Sequence, residues 1–185
     1  MKLAVKKRDS EKKKDIKDIR REGDIPAIIY FSKGQPEKLI VNGFEFKAVL
    51  RDMKPGRLPT TVFTLSDGGK ERKAIVKDIQ YHPTTYVVNH IDFEELSEDV
   101  PVNVKVPVNC TGIMDCMGIK LGGFLRQVAR HVKVQCLPKH IPAEFIVDVK
   151  DLGIRQSKRM KDIALPAGVK ALVKPEEVLV VIAKR

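Results

Sequence analysis

Residues 62–79 run Val-Phe-Thr-Leu-Ser-Asp-Gly-Gly-Lys-Glu-Arg-Lys-Ala-Ile-Val-Lys-Asp-Ile. Val62 to Leu65 and Arg72 to Ile79 are short and rich in β-branched and apolar side chains, with Ser66-Asp67-Gly68-Gly69 between them. An Asp-Gly pair accepts the positive backbone angles of a tight turn, so the stretch predicts a β-hairpin. Upstream, Ile25-Pro-Ala-Ile-Ile-Tyr-Phe31 and Lys38-Leu-Ile-Val41 are apolar runs bounded by Gly and Pro, the pattern of buried strands. Asn42 is placed to cap a helix from Phe44 to Met53. Downstream, Tyr86 to Phe93 supplies a last strand. Five or so short strands with one or two short helices predict a small β-barrel or curled sheet.

The stretch Glu94-Glu95-Leu96-Ser97-Glu98-Asp99 ends this set of strand signals, and a domain boundary is expected there, between 1–95 and 96–185. Beyond it, Val100, Val102, Val104, Val106 and Val108 alternate with other residues, the period of a half-buried strand. Pro101 and Pro107 push that strand toward a sheet edge. Further strands are expected at Val128 to Cys136, Phe145 to Val149 and Val178 to Ala183, with Gly112, Gly118, Gly122 and Gly123 marking turns. The fold class expected is mainly β with minor α, an N-terminal barrel followed by an all-β C-terminal domain.

The chain has 185 residues, and its 35 Lys and Arg against 24 Asp and Glu leave a net charge of +11, which points toward polyanionic partners. Hydrophobic residues are 43% and charged ones 32%, ordinary for a folded protein rather than a disordered one. The longest apolar run, Val178 to Ala183, falls far short of the roughly 20 residues that span a bilayer. The N-terminus has no apolar signal core, so a cytoplasmic protein is expected. Cys110, Cys116 and Cys136 are odd in number and lack zinc-ligand spacing, so no metal site and no cofactor are expected. No nucleophile elbow or phosphate-cradling glycine loop occurs, and no catalysis is expected.

Ten cations fall within the first 21 residues. From Ser10, a residue type that caps helices, to the Gly23 and Pro26 stop, the chain predicts a helix of about three turns. At about 100° per residue, Lys13, Lys17 and Arg20 share one face, Glu11, Asp15, Asp18 and Glu22 the opposite one, and Ile16 with Ile19 a narrow seam. Like charges recur four residues apart at 13/17 and 18/22, which destabilises a solitary helix. A polyanion facing the cationic stripe would relieve that. A membrane surface would want a broad apolar face, which two isoleucines do not supply.

In Tyr86-Val-Val-Asn-His-Ile-Asp-Phe93, alternation sends Val87, Ile91 and Phe93 to one side and His90 with Asp92 to the other. Asp can accept from base amino and imino groups, and His can donate or stack. Tyr30 ends the strand after the basic helix, and Lys77 and Gln80 lie on the strand leading into Tyr81-His82-Pro83. A surface His–Asp pair and core packing of Tyr30 are the plainer alternatives.

Taken in order, Ile19-Arg-Arg-Glu-Gly-Asp-Ile-Pro-Ala-Ile-Ile-Tyr30, Gln80-Tyr-His-Pro83 and His90-Ile-Asp-Phe93 resemble the bacterial large-subunit ribosomal protein twenty-five family, of the Ctc or general stress type. The valine strand, Leu121-Gly-Gly123, Cys136-Leu-Pro138 with Ile141-Pro142, and Val147-Asp-Val149 resemble its β-rich C-terminal domain. The resemblance implies a structural protein of the large ribosomal subunit, in the central protuberance, that binds the loop E region of 5S ribosomal RNA through its N-terminal barrel. It implies RNA contacts at Arg8, Lys13, Lys17, Arg20, Tyr30, Lys77, Gln80, His90 and Asp92, Lys77 standing where the family can carry Gln. Neighbouring ribosomal proteins would be further partners, and a stress-induced RNA-binding protein acting off the ribosome is the alternative. Phe31 stands where a Gly usually follows the Tyr. The cluster Arg155, Lys158 and Arg159, where a usual Gly is missing, would be a second RNA contact or a solvated turn.

Overall fold

The computed structural model describes residues 1–8, 12–31 and 34–184. The chain divides into two compact units, Met1–Val100 and Pro101–Arg185. The acidic stretch begins inside the last strand of the first unit, which runs on through Glu95.

The first unit contains β1 (Lys2–Lys7), α1 (Lys13–Glu22), β2 (Ile25–Tyr30), β3 (Glu37–Val41), α2 (Gly43–Asp52), β4 (Val62–Asp67), β5 (Lys70–Tyr81) and β6 (Val88–Glu95). The strands form a closed barrel in the order β1-β3-β2-β6-β5-β4. The expected hairpin is β4–β5, and its two-residue loop is Gly68-Gly69, because Asp67 pairs with Lys70. Both glycines have positive φ, 53° and 124°, the requirement of a tight hairpin turn. Barrel closure depends on β1, which the sequence reading did not foresee. It runs antiparallel to β3, with Val5 opposite Val41, and parallel to β4, with Leu3 opposite Leu65.

Alternation places Ala27, Ile29, Phe63, Leu65, Ala74, Val76, Ile91 and Phe93 inside. Asn42 caps α2 as expected, its side chain accepting from the Phe44 and Glu45 amides. This sets Phe46, fully buried, 6.5 Å from the Phe63 ring, which stands 6.3 Å from Phe93. Burying a phenylalanine contributes about 1.5–3 kcal/mol, so this trio fastens α2 to the barrel.

Helix α1 ends on Gly23, at φ 92°, whose amide and that of Asp24 bond back to Arg20 and Ile19 carbonyls. It begins later than expected: Lys12 is the N-cap and makes no side-chain capping bond, while Ser10 and Glu11 lie outside the described residues. A Cβ on Gly43 would stand 1.9 Å from the Gly23 carbonyl oxygen, so only glycine lets the start of α2 meet the end of α1. Asp24 Oδ1 accepts from the Gly43 amide at 3.3 Å and completes the junction.

The second unit contains β7 (Val102–Thr111), α3 (Met117–Lys120), β8 (Gly123–Gln127), β9 (His131–Cys136), β10 (Phe145–Asp148), β11 (Ser157–Arg159), β12 (Val169–Ala171) and β13 (Val178–Lys184). They form a four-stranded sheet, β10-β7-β9-β12, and a three-stranded one, β11-β13-β8. The unit is β-rich but has the four-residue helix α3, which holds Gly118 where a turn was expected. The expected strand 128–136 is in fact β9 alone, with β8 earlier and Val128 to Arg130 between the two. β7 is flanked on both sides rather than at an edge. Yet β10 pairs with it only from Val108 to Thr111, so Pro107, lacking an N–H, sits where β9 is its only strand partner among the described residues.

Candidate nucleic-acid interface

β6 is the spine of the site because it lies between β2 and β5 in the barrel. With Ile91 and Phe93 committed to the core, His90, Asp92 and Glu94 point outward. The register brings Gln80 of β5 opposite His90, and Asp78 opposite Asp92. On the other flank, parallel pairing sets Ile28 beside Asp92 and Tyr30 beside Glu94. A β-bulge between Val76 and Asp78 turns Lys77 outward, and its ammonium is ion-paired with Glu94. Tyr30, Lys77, Gln80, His90 and Asp92 therefore share one outer face of three adjacent strands. Tyr30 is 42% exposed, so its ring is not a core group.

His90 Nδ1 stands 2.8 Å from Asp92 Oδ1, with both side chains largely covered. The approach does not have hydrogen-bond geometry: His90 Nδ1 is a buried atom without a hydrogen-bond partner among the described residues, so the imidazole and the carboxylate both keep capacity for another partner. Asp78, opposite Asp92, adds a second carboxylate to the same place. A surface built only to attract phosphates would not hold two carboxylates at its centre.

The basic helix joins this face through Arg20, whose Nε donates to the Asn89 carbonyl at 3.2 Å, one residue before His90. Lys13 and Lys17 continue the exposed cationic stripe away from that anchor, and Ile16 and Ile19 are half-buried. On the acidic side Asp18 pairs with Arg21 at 3.2 Å. Arg8 is further off: its amide donates to the Lys38 carbonyl, which places it beside β3, and Lys38 in turn pairs with Ile28 of β2. Phe31 is half-buried against the barrel core, with the Arg72 guanidinium 5.6 Å from its ring centroid and held by Glu37 at 2.8 Å.

Three groups here escaped the sequence reading. Asp78 required the β5–β6 register to be known. Tyr81 and Tyr86, 48% and 77% exposed, flank the β5–β6 turn beside Gln80 and His90. Tyr86 has φ 55°, a strained angle for an aromatic residue, and its amide bonds the His82 carbonyl. The Tyr-x-x-x-x-Tyr spacing across a turn was the available signal.

In the second unit, Arg159 is ion-paired with Glu176, which Lys161 also approaches at 3.2 Å. Hydrogen bonds from Arg159 and then Lys161 hold the Glu176 carboxyl below its ordinary range. Arg159 is thus partly neutralised, while Arg155 is exposed at φ 67° where glycine is the easier occupant. Cys116 and Cys136 are buried, and burial raises the pKa of the Cys110 and Cys136 thiols, which suits packing.

Residues 3–93 match the profile described as the ribosomal L25p family, and residues 101–185 that of the ribosomal protein TL5 C-terminal domain. Over all 185 residues, and the whole of each relative, the chain is 45% identical to a Chlamydia muridarum protein named large ribosomal subunit protein bL25. Proteins of the same name from Chlamydia trachomatis serovar L2 and Chlamydia pneumoniae are 44% and 43% identical over the same full length.

Proposed function

The chain belongs to the ribosomal L25p family, and from that premise we propose that it is a structural, non-catalytic protein of the cytoplasmic large ribosomal subunit that binds 5S ribosomal RNA at loop E, within the central protuberance. The observation that carries the reading is the convergence of Tyr30, Lys77, Gln80, His90 and Asp92 on one barrel face joined to the cationic helix through Arg20. Lys13, Lys17 and Arg20 meet phosphates and set the register of the RNA, a role that carries no sequence information. Tyr30 offers a ring on which an unstacked base can lie, and Gln80 supplies both a donor and an acceptor. Asp92, next to His90 on the same strand face, accepts from base amino or imino groups, which phosphates cannot offer. An irregular helix with splayed base edges suits such a surface better than a regular A-form duplex, whose major groove side chains cannot read. Arg8, beyond β3, reaches the flank of the same RNA.

The test is 5S RNA binding by the full chain and by residues 1–100. Similar affinities support the reading, since every proposed contact lies in the first unit. Affinity held mostly by residues 101–185 would overturn it.

A further inference from the structure

Residues 101–185 hold 15 Lys and Arg against 7 Asp and Glu, a net of +8, so most of the chain's +11 belongs to the unit that carries none of the proposed loop E contacts. On the β10-β7-β9-β12 sheet, Val102, Val104, Val106, Val132 and Val134 are buried, and Asn103, Lys105, His131, Lys133 and Lys170 face solvent. There Lys105 of β7 stands directly opposite Lys133 of β9, and Lys170 of β12 stands opposite Gln135. Directly opposed Cβ atoms are about 4.5–5.5 Å apart and diagonal ones about 7–8 Å, so three ammonium groups cluster on three adjacent strands. No carboxylate occupies a paired position among them, and among the described residues none of the three lysines forms an ion pair. The carboxylates of this sheet lie toward its other edge, Glu144 accepting from Asn109 and Asp148 standing on the edge strand β10.

Like charges directly opposed on a sheet are destabilising. Lysines do guard exposed strand edges, which would account for Lys170 on the edge strand β12. Lys133 has no edge to guard, because β7 and β12 pair with β9 on either side of it. Solubility alone would be served as well by a glutamate at either opposed position.

We propose that this face, centred on Lys105, Lys133 and Lys170, binds the phosphate backbone of RNA. The proposal rests on the chain being a ribosomal protein and is independent of the loop E site. Lysines are point charges that suit phosphates without demanding a base sequence. Gln135, between Lys133 and Lys170 in the register, can donate to phosphate or sugar oxygens. The contact would be sequence-independent and would relieve the lysine–lysine repulsion.

The test uses the full chain carrying Lys13→Ala, Lys17→Ala and Arg20→Ala, which weakens the first site, and a regular RNA duplex of about 20 base pairs as probe, a length like that spanned by other duplex-binding domains. Adding Lys105→Gln, Lys133→Gln and Lys170→Gln should flatten the slope of log affinity against log salt by about 2–3 units, at roughly 0.7–0.9 per phosphate contact. Melting temperature serves as the folding control. An unchanged slope and affinity would overturn the proposal. So would variants that weaken binding to large subunits but not to the duplex, because the partner would then be an acidic protein surface. Asp92→Asn should leave binding to this duplex intact while weakening loop E binding, so failure of either reading is visible without the other.

Discussion

Replacing Asp92 with Asn separates specific recognition from electrostatic attraction, because the two give opposite signs. On a surface that only collects phosphates, the carboxylate repels the RNA. With a phosphate about 7 Å away and an effective dielectric between about 20 and 80, its removal would gain roughly 0.6–2.4 kcal/mol. If instead Asp92 accepts from base donors, its replacement leaves them unpaired within the interface, at about 1–3 kcal/mol, or roughly 5- to 150-fold in affinity. Folding interferes little with the comparison. The substitution removes the opposition of Asp78 and Asp92, at about 0.2–1 kcal/mol, and loses a His90 approach that lacks hydrogen-bond geometry and is worth no more than about 1 kcal/mol. These offset, and stability should stay within about 1 kcal/mol of the parent. The assay is titration of a loop E fragment and of a regular duplex of equal length at fixed salt, with thermal melting alongside. Weaker fragment binding with unchanged duplex binding is expected. Equal or tighter fragment binding by a folded variant would refute the reasoning and leave only a basic patch.

Lys13→Ala, Lys17→Ala and Arg20→Ala should each flatten the salt dependence of 5S RNA binding by a little under one unit, and a flat dependence in the parent would remove the helix from the phosphate contacts. Gly43→Ala forces a Cβ against the Gly23 carbonyl, and calorimetry should show a loss of about 1–3 kcal/mol, together with weaker RNA binding as α1 shifts. Phe46→Ala removes the buried ring that fastens α2 and should lose about 3–5 kcal/mol of barrel stability; a change in melting no larger than that of a surface substitution would contradict the packing described. Because the Glu176 carboxyl titrates below its ordinary 4.5 when folded, its contribution is present above that pH and is lost as pH falls through the lowered value. Parent and Glu176→Gln should therefore differ in melting at neutral pH and converge in acid; a constant difference would show that Arg159 and Lys161 do not hold the carboxylate.

A strand pair with a local turn that carries Gly was legible in the sequence, as with β4–β5; in β6 alternation sorted Ile91 and Phe93 from His90 and Asp92 but misplaced Val87, which is exposed while Val88 is buried, because the register shifts between Gln80 and Tyr81. The outward placement of His90 and Asp92 was legible for the same reason. Strand β1 was not, because Leu3 and Val5 are its only inward residues and its partners β3 and β4 lie far along the chain. A six-residue lysine-rich segment reads as a tail until the barrel that it closes is known. The turn between β8 and β9 was missed because Val128-Ala-Arg130 contains no turn-forming residue. The end of the first unit also changed the picture of charge. Counted from the expected boundary at residue 96 the C-terminal part carries +6, but counted from 101 it carries +8, since Glu98 and Asp99 fall between. The lysine cluster of the second unit was hidden for a further reason: opposition of Lys105 and Lys133 is a property of register, not of composition.

The most direct test of the central claim is to crosslink the protein to RNA in intact cells, sequence the RNA and map the crosslinked peptides. Loop E of 5S ribosomal RNA joined to peptides carrying Tyr30, His90 or α1 is the expected result. Recovery of other RNAs without 5S sequences, or of 5S sequences joined only to peptides from 101–185, would contradict it.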